Sequence, residues 1–327
     1  MISSVAVIGL GNVASRHRKN LKLRFSGVTV LAMSSSGRKV DESIDNADYV
    51  VNSIQDIIDA KPAFVIVASP STYHAKHALR LLEKKIPVLI EKPVTASLSD
   101  SYKLIAASQL SQTPIAVGYC LRYLPSSCEM KRVLAEGLIG NVYNAFVHVG
   151  QFLPDWRDNK EFRSSVSAKV SLGGGALLEL SHELDYIQWL LGDMNFEYAH
   201  LRTSHELDLE VEEIADLVLT SIEGVVCNVH LDFLQKKPHR MCVLIGSRGR
   251  LEWDLIGNTI VMHNAEGRFT IYSKPDWDKN EMYLDMVDDF VDMINSKPSD
   301  CIDIDQATKT VALIEEIKAN AIWGVKQ

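Results

Sequence analysis

The first fourteen residues leave this chain little freedom. Val5-Ala-Val-Ile8 is a short apolar run, followed at once by Gly9-Leu-Gly11-Asn12-Val13-Ala14. The run reads as a buried strand, the two glycines as a turn and the residues after them as a helix start. The spacing fits GxGxx(G/A): Gly9 for the tight turn, Gly11 for close approach of the backbone to a pyrophosphate, and Ala14 for close packing of helix on strand. The free N–H groups at the helix start, around Asn12 and Val13, would then face phosphate oxygens.

The strand–helix rhythm continues to about residue 120. Apolar runs at Val28–Met33, Phe64–Ala68, Pro87–Ile90 and Pro114–Gly118 alternate with amphipathic stretches near 13–25, 72–84 and 97–110, and Ser97-Leu-Ser-Asp100 offers a helix start. Buried strands interleaved with helices predict a parallel, doubly wound sheet. Beyond about residue 140, Val142–Phe152, Ala199–Ser204, Ile214–Ile222, Val225–Phe233, Met241–Ile245, Arg250–Trp253 and Thr259–His263 read as strands joined by short turns. They predict a mostly antiparallel sheet with one polar face, interrupted by a helix over about 173–191 and closed by helices near 281–295 and 305–321. A chain of 327 residues exceeds what one core usually supports. The expected domains are therefore 1–120, dinucleotide-binding, and 121–327, substrate-binding and oligomerising.

In the second strand's wake, where a carboxylate would hold the ribose 2′-hydroxyl of NAD, stand Ser34-Ser35-Ser36-Gly37-Arg38-Lys39. Ser34, Ser35 and Arg38 suit a 2′-phosphate, so NADP(H) is favoured and NAD(H) remains possible. A net charge of −8 with no dense Lys/Arg block argues against nucleic acid as a partner. No apolar run reaches the roughly 18 residues that span a bilayer, so no membrane is expected. Five scattered cysteines without CxxC spacing, and a first strand with no leader-like segment before it, lead us to expect reduced thiols in the cytoplasm.

Two further places carry chemistry. Glu91-Lys92-Pro93 ends the apolar run Ile86–Ile90, at the carboxyl edge of the expected sheet, where open α/β sheets bind ligands. Gly173-Gly-Gly175 opens the long helix, on which Leu177, Leu180, Leu184, Ile187 and Leu191 would share one face and Glu179, His182 and Tyr186 another, with Glu183 beside them. A carboxylate three residues before a histidine can set its tautomer; a solvated polar face is the plainer reading. His182-Glu183 starts like HExxH, but Tyr186 stands at the second histidine position, so no metal is expected. His148, His200, His205, His230, His239 and His263 lie in strands or loops without evident partners and read as structural.

Taken together, the chain resembles the glucose–fructose oxidoreductase / inositol dehydrogenase / MocA family over essentially its whole length. The matching pieces occur in order: the Gly9–Asn12 turn, Ala68-Ser69-Pro70-x-x-x-His74, Glu91-Lys92-Pro93, Gly118-Tyr119-Cys-Leu-Arg122-Tyr123-x-Pro125, and Gly173 to Asp185. The resemblance implies a Rossmann domain followed by an open-faced sheet domain that pairs subunits, here as a homodimer or homotetramer. It implies an enzyme moving a hydride between NAD(P) and a hydroxyl or carbonyl of a sugar or sugar derivative. Lys92 would touch nicotinamide ribose and substrate, and His182 would be the acid/base. Glu179, one residue closer to the histidine than the family's aspartate, would orient it. Ser69, Pro70, His74 and Glu91 would line the cofactor, and Tyr119, Arg122 and Asp185 the substrate. Trp156, with the neighbouring Arg157, and Arg163 resemble a subgroup linked to surface-sugar biosynthesis, which makes a nucleotide-linked sugar an option. A non-catalytic dinucleotide-sensing regulator of the same fold is the alternative; a reductase of an apolar carbonyl would need a less polar pocket.

Overall fold

The computed structural model describes residues 2–156 and 161–324, and the chain divides into two units. The first gathers Met1–Cys120 and Asn280–Val311; the second gathers Leu121–Lys279 and Ala312–Gln327. Residues 280–311, expected in the second domain, therefore return to the first. The reason is apolar burial: Ile302, Ile304, Ala307 and Val311 complete its core, and the Val117 N–H donates to the Ile302 carbonyl at 2.9 Å.

The first unit runs β1 (Ser4–Ile8), α1 (Asn12–Arg24), β2 (Thr29–Met33), β3 (Tyr49–Val51), α2 (Ile54–Ala60), β4 (Val65–Val67), α3 (Ser71–Leu82), β5 (Val88–Glu91), α4 (Leu98–Ser111) and β6 (Ile115–Gly118). Its six strands lie in the order β3-β2-β1-β4-β5-β6, every pair parallel. The expected doubly wound sheet is present, with every strand but the edge strand β3 almost wholly buried. Ser97 caps α4 by accepting from the Asp100 N–H at 3.3 Å, as its spacing predicts. The short edge strand β3 and helix α2 had no apolar run long enough to announce them. The chain order reverses between β1 and β4, which makes their carboxyl ends the switch point of the sheet.

The second unit contains α5 (Pro125–Ala135), β7 (Val142–Gly150), α6 (Ala176–Glu179), α7 (His182–Leu191), β8 (Met194–Arg202), β9 (Ile214–Ser221), β10 (Val226–Asp232), β11 (His239–Gly246), β12 (Gly249–Asp254), β13 (Thr259–Asn264) and β14 (Gly267–Ser273). Helix α8 (Glu281–Ile294) belongs to the first unit, α9 (Ile304–Asn320) spans the boundary at Val311, and β15 (Ile322–Trp323) ends the described chain. Nine strands lie in the order β14-β13-β12-β11-β7-β10-β9-β8-β15, antiparallel except for β10–β7 and β15–β8. Alternation is clean on β10: Cys227, Val229 and Leu231 are buried, whereas Val226, Asn228 and His230 are part-exposed. Among the described residues no helix is long and apolar enough to cross a membrane.

The long helix expected over about 173–191 is broken. Leu180, at φ −99° and ψ 27°, separates α6 from α7, and a 3-10 turn at Val170–Leu172 precedes them. An amphipathic face cannot describe α7, because Glu183, Leu184, Asp185, Tyr186 and Ile187 are all buried. The first turns of the helix, from Glu183 to Ile187, are enclosed, and the buried acids must find cations there.

Candidate functional site

In the first unit, candidate ligand-binding residues converge on the switch point. Gly9 has φ +127°, and a Cβ there would lie 2.3 Å from the Ala68 carbonyl oxygen, so only glycine fits between the ends of β1 and β4. A Cβ on Gly11 would meet nothing within 4 Å, leaving open space over the start of α1. That helix has thirteen residues, no side-chain cap and no acid in its first turn. The open glycine and the uncapped N–H groups of Asn12 and Val13 suit a pyrophosphate. Arg18, buried, fixes the turn from below by donating to the Gly9 carbonyl at 3.2 Å and the Asp45 carbonyl at 3.0 Å.

Strand β5 delivers Glu91 and Lys92. The Glu91 carboxylate is buried and lies 2.6 Å from His17 Nε2, and its other oxygen accepts the Lys92 N–H at 3.2 Å. Burial pushes the Glu91 carboxyl up, but the hydrogen bond and charge of His17 and the charge of Lys92 bring it below the ordinary range. Gly118, opposite Glu91 on β6, makes room: a Cβ there would sit 3.4 Å from that carboxyl. Lys92 is part-exposed, and the Lys92–Pro93 peptide is cis.

His74 was expected at the cofactor, but its ring is 1% exposed and engaged on both sides. Nδ1 lies 3.0 Å from the Pro93 carbonyl and 3.2 Å from that of Val94, and Nε2 lies 2.7 Å from the Ser69 carbonyl. It ties the loop after β4 to the loop after β5, so any contribution to the cofactor is through loop position. Burial holds its pKa down. Ser69 Oγ lies 3.1 Å from His77 Nδ1, with Pro70 heading α3. At the end of β2, Ser34 is buried, Ser35 half-buried and Arg38 exposed, and Ser34 Oγ lies 3.2 Å from Ser36 Oγ. Tyr119, expected at the substrate, is fully buried in the first unit's core. Its aromatic bulk packs there among Val117 and Ile302.

In the second unit, Glu179 closes α6 and His182 opens α7, both half-buried. The two residues therefore stand on two short helices rather than on one continuous helical face. Helix α7 is anchored by two ion pairs just after His182. Glu183 receives Arg240 Nε at 2.6 Å and Nη2 at 2.8 Å; Asp185 receives Arg122 Nη2 at 2.6 Å and Nε at 2.9 Å. The Arg122 and Asp185 side chains, both expected at the substrate, are spent on each other at 9% and 2% exposure. Burial pushes the Asp185 carboxyl up, and Arg122 offsets part of this. Tyr186, expected beside His182 and Glu179, turns into the core, its ring 5.1 Å from that of Trp253. Gly175 heads α6 at φ +106°, and a Cβ there would also fall 2.4 Å from Glu212 Oε1. The buried Glu212 carboxylate caps that helix through the Leu177 N–H at 3.2 Å.

Trp156 packs edge-on against Phe233 with ring centroids 5.4 Å apart, and Arg163 lies on an exposed turn over the Phe162 ring at 4.5 Å and beside Glu161 at 3.4 Å. The Trp156 Nε1 is buried with no hydrogen-bond partner, Arg163 is exposed, and Arg157 lies outside the described residues. His17, Arg18, Glu212 and Arg240 escaped the sequence reading. Their partners stand 74, 9, 35 and 57 positions away, too far for any local spacing to signal. His148, His230 and His239 are not isolated either: their rings lie within 5 Å of one another in sequence across β10, β7 and β11, at 4.9 and 4.5 Å.

Comparison with known proteins agrees with this geometry. The model "Oxidoreductase family, NAD-binding Rossmann fold" of GFO/IDH/MocA matches residues 3–119, and the "GFO/IDH/MocA C-terminal domain" matches residues 128–252. An inositol 2-dehydrogenase of Saccharopolyspora erythraea is 27% identical over 277 residues, 82% of this chain and 79% of that one. A levoglucosan dehydrogenase solved with NADH and levoglucosan superposes with a TM-score of 0.83 at 16% identity, covering 97% of this chain and 96% of that one. The WlbA dehydrogenase of Bordetella pertussis, solved with NADH and UDP-GlcNAcA, reaches 0.81 at 16% identity, covering 98% and 96%.

Proposed function

The chain belongs to the GFO/IDH/MocA oxidoreductase family and is an NAD(P)-dependent dehydrogenase or reductase acting on CH–OH, and on that premise we propose that its substrate is a sugar, cyclitol or sugar derivative. The observation that carries the cofactor part is the switch point: open Gly11, uncapped α1 and the ends of β1, β4 and β5 converge there. When bound, a nicotinamide cofactor would supply the hydride acceptor or donor at the substrate's carbinol or carbonyl carbon. His182 takes the hydroxyl proton during oxidation and returns it during reduction. The Glu183 and Asp185 ion pairs fix the first turn of α7 and so hold His182 in place. Lys92, on a backbone anchored by Glu91, binds the substrate oxygen and tunes that proton transfer. Glu179, from the preceding short helix, orients His182 through the turn rather than along one helix.

The Ser34–Arg38 loop, with hydroxyls and a guanidinium in place of an acid, supports a preference for NADP(H). The named relatives support a polyol or sugar ring, free or nucleotide-linked. The open face of the second unit's sheet supports self-association as a dimer or tetramer. A screen of free and nucleotide-linked sugars, read by nicotinamide absorbance with both cofactors, tests the reading. Turnover of at least one polyhydroxylated substrate is expected; cofactor binding with no turnover across the panel would favour a non-catalytic regulator.

A further inference from the structure

The sheet of the second unit carries a group of side chains that the dehydrogenase reading does not use. On the parallel pair β10–β7, His230 stands opposite His148 and Asp232 opposite Gly150, and His239 of β11 stands opposite Gly150 from the other side. One donor atom from each of His148, His230 and Asp232 falls within 4.8 Å of the others. The group lies on the face away from α7. Arg240 reaches α7 through Glu183, so its neighbour His239 projects to the opposite face.

Three features set this group apart from a chance polar patch. First, His230 Nδ1 lies 2.6 Å from Asp216 Oδ1, and Asp216 is in turn held by Arg202. A carboxylate behind one imidazole nitrogen aims the other outward, as behind metal-bound histidines. Second, Asp232 is 3% exposed, and its Oδ1 accepts the N–H groups of Leu234 at 2.7 Å and Gln235 at 3.0 Å. Its Oδ2 is thereby directed at His230 Nε2, 3.0 Å away. Third, Gly150 makes room at the centre for a group other than its own side chain: a Cβ there would lie 2.5 Å from Asp232 Oδ2 and 2.0 Å from Gln235 Nε2. The Gln235 amide fills that centre, donating to Asp232 Oδ2 at 2.5 Å and lying 2.7 Å from His148 Nε2. Its N–H groups stand where a cation would place its charge.

We propose that His148, His230 and Asp232 form a binding site for one divalent transition-metal ion of the zinc class, with Asp216 as the positioning residue behind His230. Two imidazoles and one carboxylate suit zinc, cobalt or nickel rather than the all-oxygen shells of calcium and magnesium. Bonds of about 2.1 Å in a tetrahedral shell put donors about 3.4 Å apart. Side-chain adjustment of up to about 1.5 Å, with Gln235 swinging aside, brings the three donors to that spacing and leaves the fourth position for water or His239. The ion would cross-link β7 and β10 on the open face and stands independently of the catalytic reading.

The test uses untagged full-length protein, stripped with chelator and equilibrated with zinc. One zinc per chain is expected, with affinity falling about 100-fold in His148→Ala and His230→Ala and about 10- to 100-fold in Asp216→Asn, circular dichroism unchanged. Should a variant misfold, anomalous diffraction at the zinc edge from crystals of the unaltered protein must show its strongest peak bonded to His148 and His230. Sub-stoichiometric zinc, unchanged affinity in the folded histidine variants, or a principal peak elsewhere would overturn the site.

Discussion

Replacing Arg240 by methionine tests how the first turn of α7 is held. Glu183 is 0% exposed, and Arg240 meets it with two hydrogen bonds of 2.6 and 2.8 Å. Charge centres about 4 Å apart interact by about 4 kcal/mol at an effective dielectric of about 20. Removing one partner of a buried pair costs about 3–5 kcal/mol, much of it the stranded charge. Arg240→Met should therefore lower the melting temperature of the second unit by about 6–20 °C, at roughly 2–4 °C per kcal/mol. The double variant Glu183→Gln/Arg240→Met, which buries no charge, should return to within about 1 kcal/mol of the parent. Calorimetry of the four proteins of the cycle reads this directly. An Arg240→Met cost under about 1 kcal/mol, or a double variant as unstable as the single, would refute the reasoning.

Other outcomes follow from the same geometry. Gly9→Ala must strain a φ of +127° and push against the Ala68 carbonyl, so it should lose about 1–3 kcal/mol of stability; nicotinamide affinity, measured by fluorescence titration, should fall with it. His77, pushed down to about 4 by burial, stays neutral in the fold while the unfolded chain protonates below about 6.5. Its contribution is complete above the unfolded value and is lost as pH falls through the window between the two. Urea unfolding should show about 2 kcal/mol less stability at about pH 5 than at about pH 7, a slope that His77→Gln should flatten. Arg38→Ala should weaken NADPH about 10-fold or more and leave NADH nearly unchanged; equal effects on both would remove the 2′-phosphate role.

The first unit was legible because its signals are local. Val5–Ile8 can bury itself only as a strand, and Gly9 and Gly11 declare the turn within a few residues. The return of 280–311 was not legible, since an amphipathic helix does not say which core it completes. The same limit explains α7. Its periodicity suggested one continuous helix with a polar side, but the fate of Glu183 and Asp185 depends on Arg240 and Arg122, 57 and 63 positions away. Two of the expected ligand contacts, Arg122 and Asp185, are a mutual pair for that reason. Tyr119 belongs to the core and His74 to a backbone clamp. Lone histidines on separate strands looked unrelated because parallel register, not spacing, brings His148 opposite His230.

The most direct test of the account is a paired measurement on the parent and Lys92→Ala: nicotinamide binding by fluorescence, and turnover of any polyhydroxylated substrate found active. The parent should bind NADPH or NADH and turn over, and Lys92→Ala should still bind the cofactor while turnover falls about 10²- to 10⁴-fold. Failure of the parent to bind either cofactor, or undiminished turnover without Lys92, would contradict it.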